Sequence, residues 1–291
     1  MQAAMRWIRD RLSRYLPMIK SLQTGLLLTT GLAGFMSARC PVIHWQVLLG
    51  LTGSLFLAIS GSTATNMVLD RDIDARMART HFRPLPAGRI SVREAWTLAL
   101  VLSLTGIGWA FWLDRLYGAV VLAGWLFDVM VYTLWLKRRT PWSIIWGGIA
   151  GGMPVLAGRA LGLGSIDWVG VTLALAVLLW IPTHILTFSV RHREDYARAG
   201  IPTFPAWYSE DFTHKIVAVS SALAAGVMGL AAYGIGMTWG YLRVLVVLSG
   251  GLLALAITAA CRPSMKANFA LFKYASIYML SSMVLLVLEG I

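Results

Sequence analysis

Nine runs of mostly apolar residues divide the chain, at approximately 18–38, 43–69, 91–113, 116–136, 141–161, 167–190, 213–234, 241–261 and 267–288. Each is near the roughly 17 to 25 residues that a helix needs to cross a bilayer. Polar residues gather in the gaps between the runs instead of recurring along one face of each run. Helices solvated by lipid give that pattern, so the expected fold class is all-α, a polytopic membrane protein with nine transmembrane helices. Ahead of the first run, Met5, Ile8, Leu12 and Tyr15 recur at three- and four-residue steps, which reads as an amphipathic helix on the membrane surface. The expected division is therefore an N-terminal amphipathic cytoplasmic segment, 1–17, and a single transmembrane domain, 18–291.

The gaps alternate in charge. One set holds Arg6, Arg9, Arg11, Arg14, Lys20, Arg71, Arg76, Arg79, Arg83, Arg89, Arg93, Lys137, Arg138, Arg139, Arg191, Arg193, Arg198, Lys215, Arg262 and Lys266, a total of 20. The other set holds Arg39, Arg115, Arg159 and Arg243, with Lys273 inside the ninth run. The positive-inside rule then predicts a cytoplasmic N-terminus, an extracytoplasmic C-terminus and the cell membrane as location. Composition agrees: 58% of the 291 residues are hydrophobic and 13% charged, too apolar for a soluble domain of this length. The net charge of +12 is spread over short loops, not one soluble face, so no nucleic-acid partner is expected. Cys40 and Cys261 fall at opposite membrane faces under this topology and are not expected to pair. The N-terminal residues lack a signal-peptide layout. No Walker, Gly-x-Ser-x-Gly or His-Glu-x-x-His sequence occurs, and no paired-His spacing points to a redox core in this chain.

The densest charge cluster spans residues 66–89. If the second apolar helix continues past its end, Asn66, Asp70 and Asp74 fall at i, i+4 and i+8, offset by about 40° per step, and make one oxygen-bearing stripe. Asp72 points elsewhere. Such hard ligands suit Mg²⁺, which accepts a few carboxylates together with phosphate oxygens. Arg76, Arg79, Arg83 and Arg89 offer guanidinium forks for phosphate. The stretch reads as a Mg²⁺-diphosphate site at a membrane face, or as a positive-inside loop whose acids balance its arginines.

A second charged loop, 191–212, follows the sixth run and again opens on arginines and acids. Two such loops hint at a pseudo-repeat and would clamp one diphosphate from both sides. On one continuous helix His184, Arg191 and Asp195 share a face. Arg191 suits a helix C-terminus but Asp195 does not, and that mismatch argues for a bound cation or phosphate. His184 is either a packed histidine, a haem ligand or a proton acceptor. Lys137, Arg138 and Arg139 close the fourth run as topological anchors or diphosphate ligands. Asp128, two turns inside that run, is a functional carboxylate or one paired in a watery cavity. The glycine-rich 147–158 stretch is explained by close helix packing.

Taken together, three ordered motifs carry a resemblance. Asn66-x-x-x-Asp70-x-Asp72-x-Asp74 with Met77-x-Arg79-Thr80-x-x-Arg83-Pro84-Leu85 resembles the first signature of the UbiA-type intramembrane prenyltransferases, in the form found in the branch that farnesylates protohaem IX. Tyr132-Thr133 with Leu136-Lys137-Arg138-Arg139-Thr140, and Trp180-x-Pro182-x-His184 followed by Glu194-Asp195-Tyr196, are similar to its later segments. The resemblance runs from about residue 60 to 205. It implies nine helices around a central cavity capped by cytoplasmic loops, and Mg²⁺-dependent transfer of a farnesyl group from farnesyl diphosphate to a vinyl group of protohaem IX, giving haem O and diphosphate. Asp70, Asp74 and Asp195 are the implied catalytic acids and, with Asn66, the metal ligands. Arg79, Arg83, Lys137, Arg138 and Arg191 are implied for diphosphate; His184, Asp128 and Tyr196 for the acceptor. Membrane lipid and a downstream haem-modifying membrane enzyme are the further partners implied.

This chain departs from the family pattern at Thr183 and Ile185 beside His184, at Met153-Pro154-Val155, and at Ser143. Those positions bear on the acceptor and leave the donor side intact. Another acceptor, such as an aromatic quinone precursor, is therefore the first rival reading. A transporter of an anionic lipid or haem is the second, and it predicts charges lining several spans through the bilayer.

Overall fold

The structure is a computed structural model that describes residues 14–39 and 44–291. Among these residues there are nine long helices and no strand. They are α1 (Ser21–Met36), α2 (Trp45–Leu69), α3 (Val92–Leu113), α4 (Arg115–Leu126, continuing as a π-helix over Phe127–Leu136), α5 (Ser143–Leu163), α6 (Trp168–Arg191), α7 (Glu210–Ile235), α8 (Trp239–Cys261) and α9 (Met265–Glu289). Eight are long and apolar enough to cross a membrane. The ninth, α1, has 16 residues. Its expected start at residue 18 is taken by a 3₁₀ turn, Leu16–Ile19. Pro17 fits that turn because it lacks an N–H to leave unpaired, and Lys20 then turns the chain through a left-handed conformation at φ 42°. Of the amphipathic segment expected over 1–17, residues 1–13 lie outside the described residues, as does Cys40; Cys261 is an exposed free thiol.

Side-chain caps define several helix starts. Ser91 and Glu94 exchange hydrogen bonds in a capping box that opens α3. The carboxylates of Asp114 and Asp167 accept from the third amide of α4 and α6. Such caps satisfy amides that have no partner within the helix. Gly164 and Gly236, both at φ +71°, end α5 and α7, a conformation that a Cβ disfavours.

Each long helix packs on the next in sequence, and α9 closes the ring onto α1. α1 also packs on α5 and α9 on α6, so the ring is pinched across its middle. The glycine-rich run permits the α1–α5 approach: a Cβ on Gly158 would stand 1.9 Å from the Gly31 carbonyl oxygen, and one on Gly34 2.0 Å from that of Val155. The burial pattern is inverted relative to a soluble protein. Trp112 and Val247 face outward at 81% and 73% exposure, while Ser54, Thr183 and Ser221 are fully buried. A lipid solvent allows this, since hydrogen-bonding side chains gain from facing other helices.

The longest connections, 70–91 and 192–209, lie at the same end of the ring. They carry short helices, Arg71–Arg76 and Arg193–Ala199, which pack together through Ile73, Met77, Tyr196, Ala199 and Ile201. That contact brings the two acidic loops face to face.

Candidate active site

The Asn66, Asp70, Asp74 stripe survives a break in its helix. Asp70 leaves helical geometry at φ −94°, ψ 6° and separates α2 from Arg71–Arg76. The i→i+4 bonds persist across the junction, from Asp70 N to Asn66 O at 2.9 Å and from Asp74 N to Asp70 O at 2.8 Å, so the three residues keep their common side. The second stretch breaks in the same way, at one residue bridged by i→i+4 bonds, from His192 N to Phe188 O at 3.1 Å and from Tyr196 N to His192 O at 3.2 Å. α6 ends at Arg191, and His192, at φ −110°, ψ 28°, turns the chain before Arg193–Ala199. His184 and Arg191 therefore lie on α6 and Asp195 on the short helix that follows, across a one-residue break.

Most of the acids on the stripe are held by cations. Lys137 Nζ donates to Asp70. Arg83 Nη1 donates to both oxygens of Asp74 at 2.9 and 2.8 Å. Asp195 accepts from the amide of Ala78 at 3.0 Å and from Arg198. Burial works against ionisation of Asp195, but the Ala78 amide and the Arg198 guanidinium outweigh it and hold the carboxyl below the usual carboxylate range. Burial likewise opposes the charge on Lys137, yet Tyr132 and Asp70 beside it keep its ammonium above the ordinary lysine value. Arg138 is turned to the half-exposed Asp72, which it grips with two bonds of 2.8 and 2.7 Å. Asp72 is thereby held below its usual range, chiefly by that contact.

Among the described residues, two buried polar atoms in this cluster have no partner: Asp70 Oδ1 and Arg79 Nε. Arg79 otherwise lies over the rings of Phe188 and Tyr196, at 5.0 and 5.5 Å from their centroids. A buried carboxylate oxygen left open on a stripe whose other members, Asn66 and Asp74, also carry side-chain oxygens fits a Mg²⁺ ligand. An open guanidinium nitrogen fits a phosphate oxygen. Among the described residues, no three His, Cys, Asp or Glu side chains already converge at ligating distance, because the cations occupy the carboxylates.

Inward of the charges lies a cavity of about 690 Å³, lined mostly by apolar side chains of α1, α2, α4, α5, α6 and α9. Asp128, Tyr132 and His184 are among its few polar linings. Asp128 accepts from Ser62 Oγ and from Asn66 Nδ2 at 2.8 Å, and Thr133 Oγ1 donates to Asn66 Oδ1 at 2.8 Å. Asn66 is thus tied to the cavity wall as well as to the acid stripe. The π-helix makes this possible. Residues five apart diverge by about 140° on an α-helix, whereas i→i+5 bonding stacks them. Thr133 Oγ1 accordingly reaches Asp128 O at 2.9 Å, and Lys137 N reaches Tyr132 O at 2.8 Å. His184 lies between Trp180 and Phe272, with Nδ1 3.1 Å from Ser276 Oγ. Tyr196 is outside the cavity wall, against Arg79. Arg191 is also apart from the acid stripe, over Phe269.

Sequence reasoning missed Lys20 and Thr133. Lys20 entered only as a topological charge, yet the turn before α1 carries it in among Arg83, Lys137, Asp74 and Asp128, and burial first, then the two neighbouring cations, lower it to about 8. The π-helix has no signature in an apolar run. The Lys-Arg-Arg run at least marks where it ends. Three of the departures, Ser143, Val155 and Thr183, are not part of the cavity lining; Thr183 is fully buried, and its hydroxyl meets that of Ser221 at 2.9 Å, in the α6–α7 seam. Ile185, Met153 and Pro154 do line the cavity. The charges predicted by a transport pathway are missing from that wall, where Asp128 is the sole carboxylate among the described lining residues.

Comparison with known proteins agrees with this geometry. Residues 27–277 match the UbiA prenyltransferase family. A protoheme IX farnesyltransferase of Pyrobaculum neutrophilum is 42% identical over 247 residues, covering 84% of each chain. One of Korarchaeum cryptofilum is 42% identical over 213 residues, 73% of this chain and 72% of that one. The structure of a UbiA homologue from Archaeoglobus fulgidus bound to GPP and Mg²⁺ superposes with a TM-score of 0.70 at 18% identity, over 94% of this chain and 99% of that one.

Proposed function

This chain belongs to the UbiA prenyltransferase family, and on that premise we propose that it transfers the farnesyl group of farnesyl diphosphate to a vinyl group of protohaem IX. The chain is a multi-pass membrane transferase. The names of relatives at 42% identity support the substrates. The observation that carries the chemistry is the meeting of two acidic loops over one end of an apolar cavity, with one carboxylate oxygen of Asp70 left open. Asn66, Asp70, Asp74 and Asp195 would hold Mg²⁺, which when bound neutralises the diphosphate and makes it a better leaving group.

The residues of the chain do the rest. Arg83 and Lys137 turn from their carboxylates to the diphosphate oxygens, joined by Lys20 and the open nitrogen of Arg79. The farnesyl tail lies in the cavity, whose lining includes Tyr132, Trp125 and Trp180, rings whose π-electrons would stabilise positive charge on the allylic carbon as its C–O bond breaks. The bonding electrons leave with diphosphate. The vinyl carbon then bonds to the farnesyl carbon, water adds its oxygen to the adjacent carbon, and one proton departs, which completes a hydroxyethylfarnesyl substituent. The product suits a haem-modifying membrane enzyme downstream. The count of 20 inner against four outer cations supports a reading in which the cluster faces the cytoplasm at the cell membrane and the C-terminus lies outside. Incubating the purified protein with farnesyl diphosphate, Mg²⁺ and a mixture of protohaem and an aromatic carboxylic quinone precursor tests the reading. Protohaem should be the acceptor consumed; consumption of the aromatic acid alone would replace it.

A further inference from the structure

Arg191 and Lys273, unlike Arg83, Lys137 and Arg138, rest on an aromatic ring and not on a carboxylate. The Arg191 guanidinium lies 3.9 Å from the centroid of Phe269, and Lys273 Nζ lies 4.5 Å from the same ring. Neither has a carboxylate partner among the described residues. Lys273 stands about 12 Å along α9 from its cytoplasmic start, and a lysine at such depth is costly and functional by default. A contact with a π-face leaves the N–H groups of both cations available to an anion.

The ring they share continues inward. Phe269 stacks on Phe272 at 10° with centroids 6.3 Å apart. Phe272 stacks on His184 at 24° and 4.6 Å, and His184 on Trp180 at 22° and 5.0 Å. Phe272, His184 and Trp180 line the cavity. A ladder of near-parallel rings therefore leads from the cavity to two cations that no carboxylate neutralises.

We infer that Arg191 and Lys273, gathered on Phe269, seat the two carboxylates of a flat dianionic acceptor whose ring system lies along Phe272 and His184. The inference rests on the protohaem reading, since protohaem supplies such a plane and two propionates. It moves Arg191 from the diphosphate, where its motif placed it, to the acceptor. The donor end already holds Arg83 and Lys137.

Absorbance titration of the purified full chain with protohaem and with protohaem dimethyl ester tests this, with farnesyl diphosphate affinity measured on the same samples. The wild type should bind protohaem about tenfold tighter than the ester, a difference of about 1.4 kcal/mol. The double variant Arg191→Gln, Lys273→Met should lose that preference and keep wild-type affinity for farnesyl diphosphate. Equal wild-type affinity for acid and ester overturns the inference and leaves the two cations as lipid anchors. Loss of farnesyl diphosphate affinity in the variant overturns it in favour of a donor role. If the double variant does not fold, the single variants are read in the same way, each losing part of the preference. A wild type that binds farnesyl diphosphate but no protohaem removes the protohaem reading itself, and the inference with it.

Discussion

Replacing Lys137 by Met isolates the coupling between the acid stripe and its cations. Asp70 and Lys137 are paired with side-chain exposures of 9% and 21%, so the change leaves a nearly buried carboxylate with neither oxygen matched. Removing one partner from a buried ion pair costs roughly 3–5 kcal/mol, and the partial exposure of the ammonium brings this to about 2 kcal/mol. The variant should therefore unfold at a lower temperature in detergent without Mg²⁺. It should also respond more strongly to Mg²⁺, because the metal no longer competes with an ammonium for Asp70. Mg²⁺ at a hundred times its dissociation constant contributes about 2.7 kcal/mol, enough to restore the loss. Thermal unfolding of wild type and Lys137→Met across a Mg²⁺ titration reads both effects. Diphosphate release should meanwhile fall by about 10²- to 10³-fold, as expected on losing one charged contact to the leaving group. A variant whose unfolding temperature does not respond to Mg²⁺, or one as stable as wild type without it, would refute the exchange of partners at Asp70.

Three further outcomes are expected. Lys20, charged below about pH 8 and neutral above it, should impose a falling limb on kcat/KM for farnesyl diphosphate as pH rises through that value; Lys20→Arg should remove the limb, and an unchanged profile would take Lys20 out of the donor site. Asp195→Asn should keep the fold, since the amide of Ala78 still finds an oxygen, yet lose most Mg²⁺-dependent diphosphate release; retained turnover would exclude Asp195 as a ligand. Gly158→Ala, whose Cβ would meet the Gly31 carbonyl at 1.9 Å, should force α1 and α5 apart and cost at least about 1–3 kcal/mol, visible as a lower unfolding temperature with the acid cluster intact.

The spans were legible because lipid demands long apolar helices whose backbone bonds are met internally, and the runs at 43–69 and 91–113 match α2 and α3 within two residues. The stripe of Asn66, Asp70 and Asp74 was legible from its spacing, which its hydrogen bonds preserve through the break at Asp70. Direction within the bundle was not. Lipid-facing and inward-facing positions are both apolar, so hydropathy could not tell that Trp125 lines the cavity while Trp112 faces out. The π-helix over Phe127–Leu136 accompanies contacts of Asp128 and Thr133 with α2, and no local pattern announces it. Pairing was also hidden: Arg138, after α4, goes to Asp72, after α2, and Arg191, at the end of α6, goes to Phe269 on α9, contacts set by which elements pack together and not encoded by spacing along the chain.

The central claim, carbon-to-carbon prenylation of a haem vinyl group over the Asp70–Asp195 cluster, is tested most directly by the mass of the haem product formed in ¹⁸O-labelled water. The account predicts protohaem carrying one farnesyl group and one ¹⁸O atom, formed only with Mg²⁺ and not by Asp70→Asn. Unmodified protohaem alongside released diphosphate would contradict it.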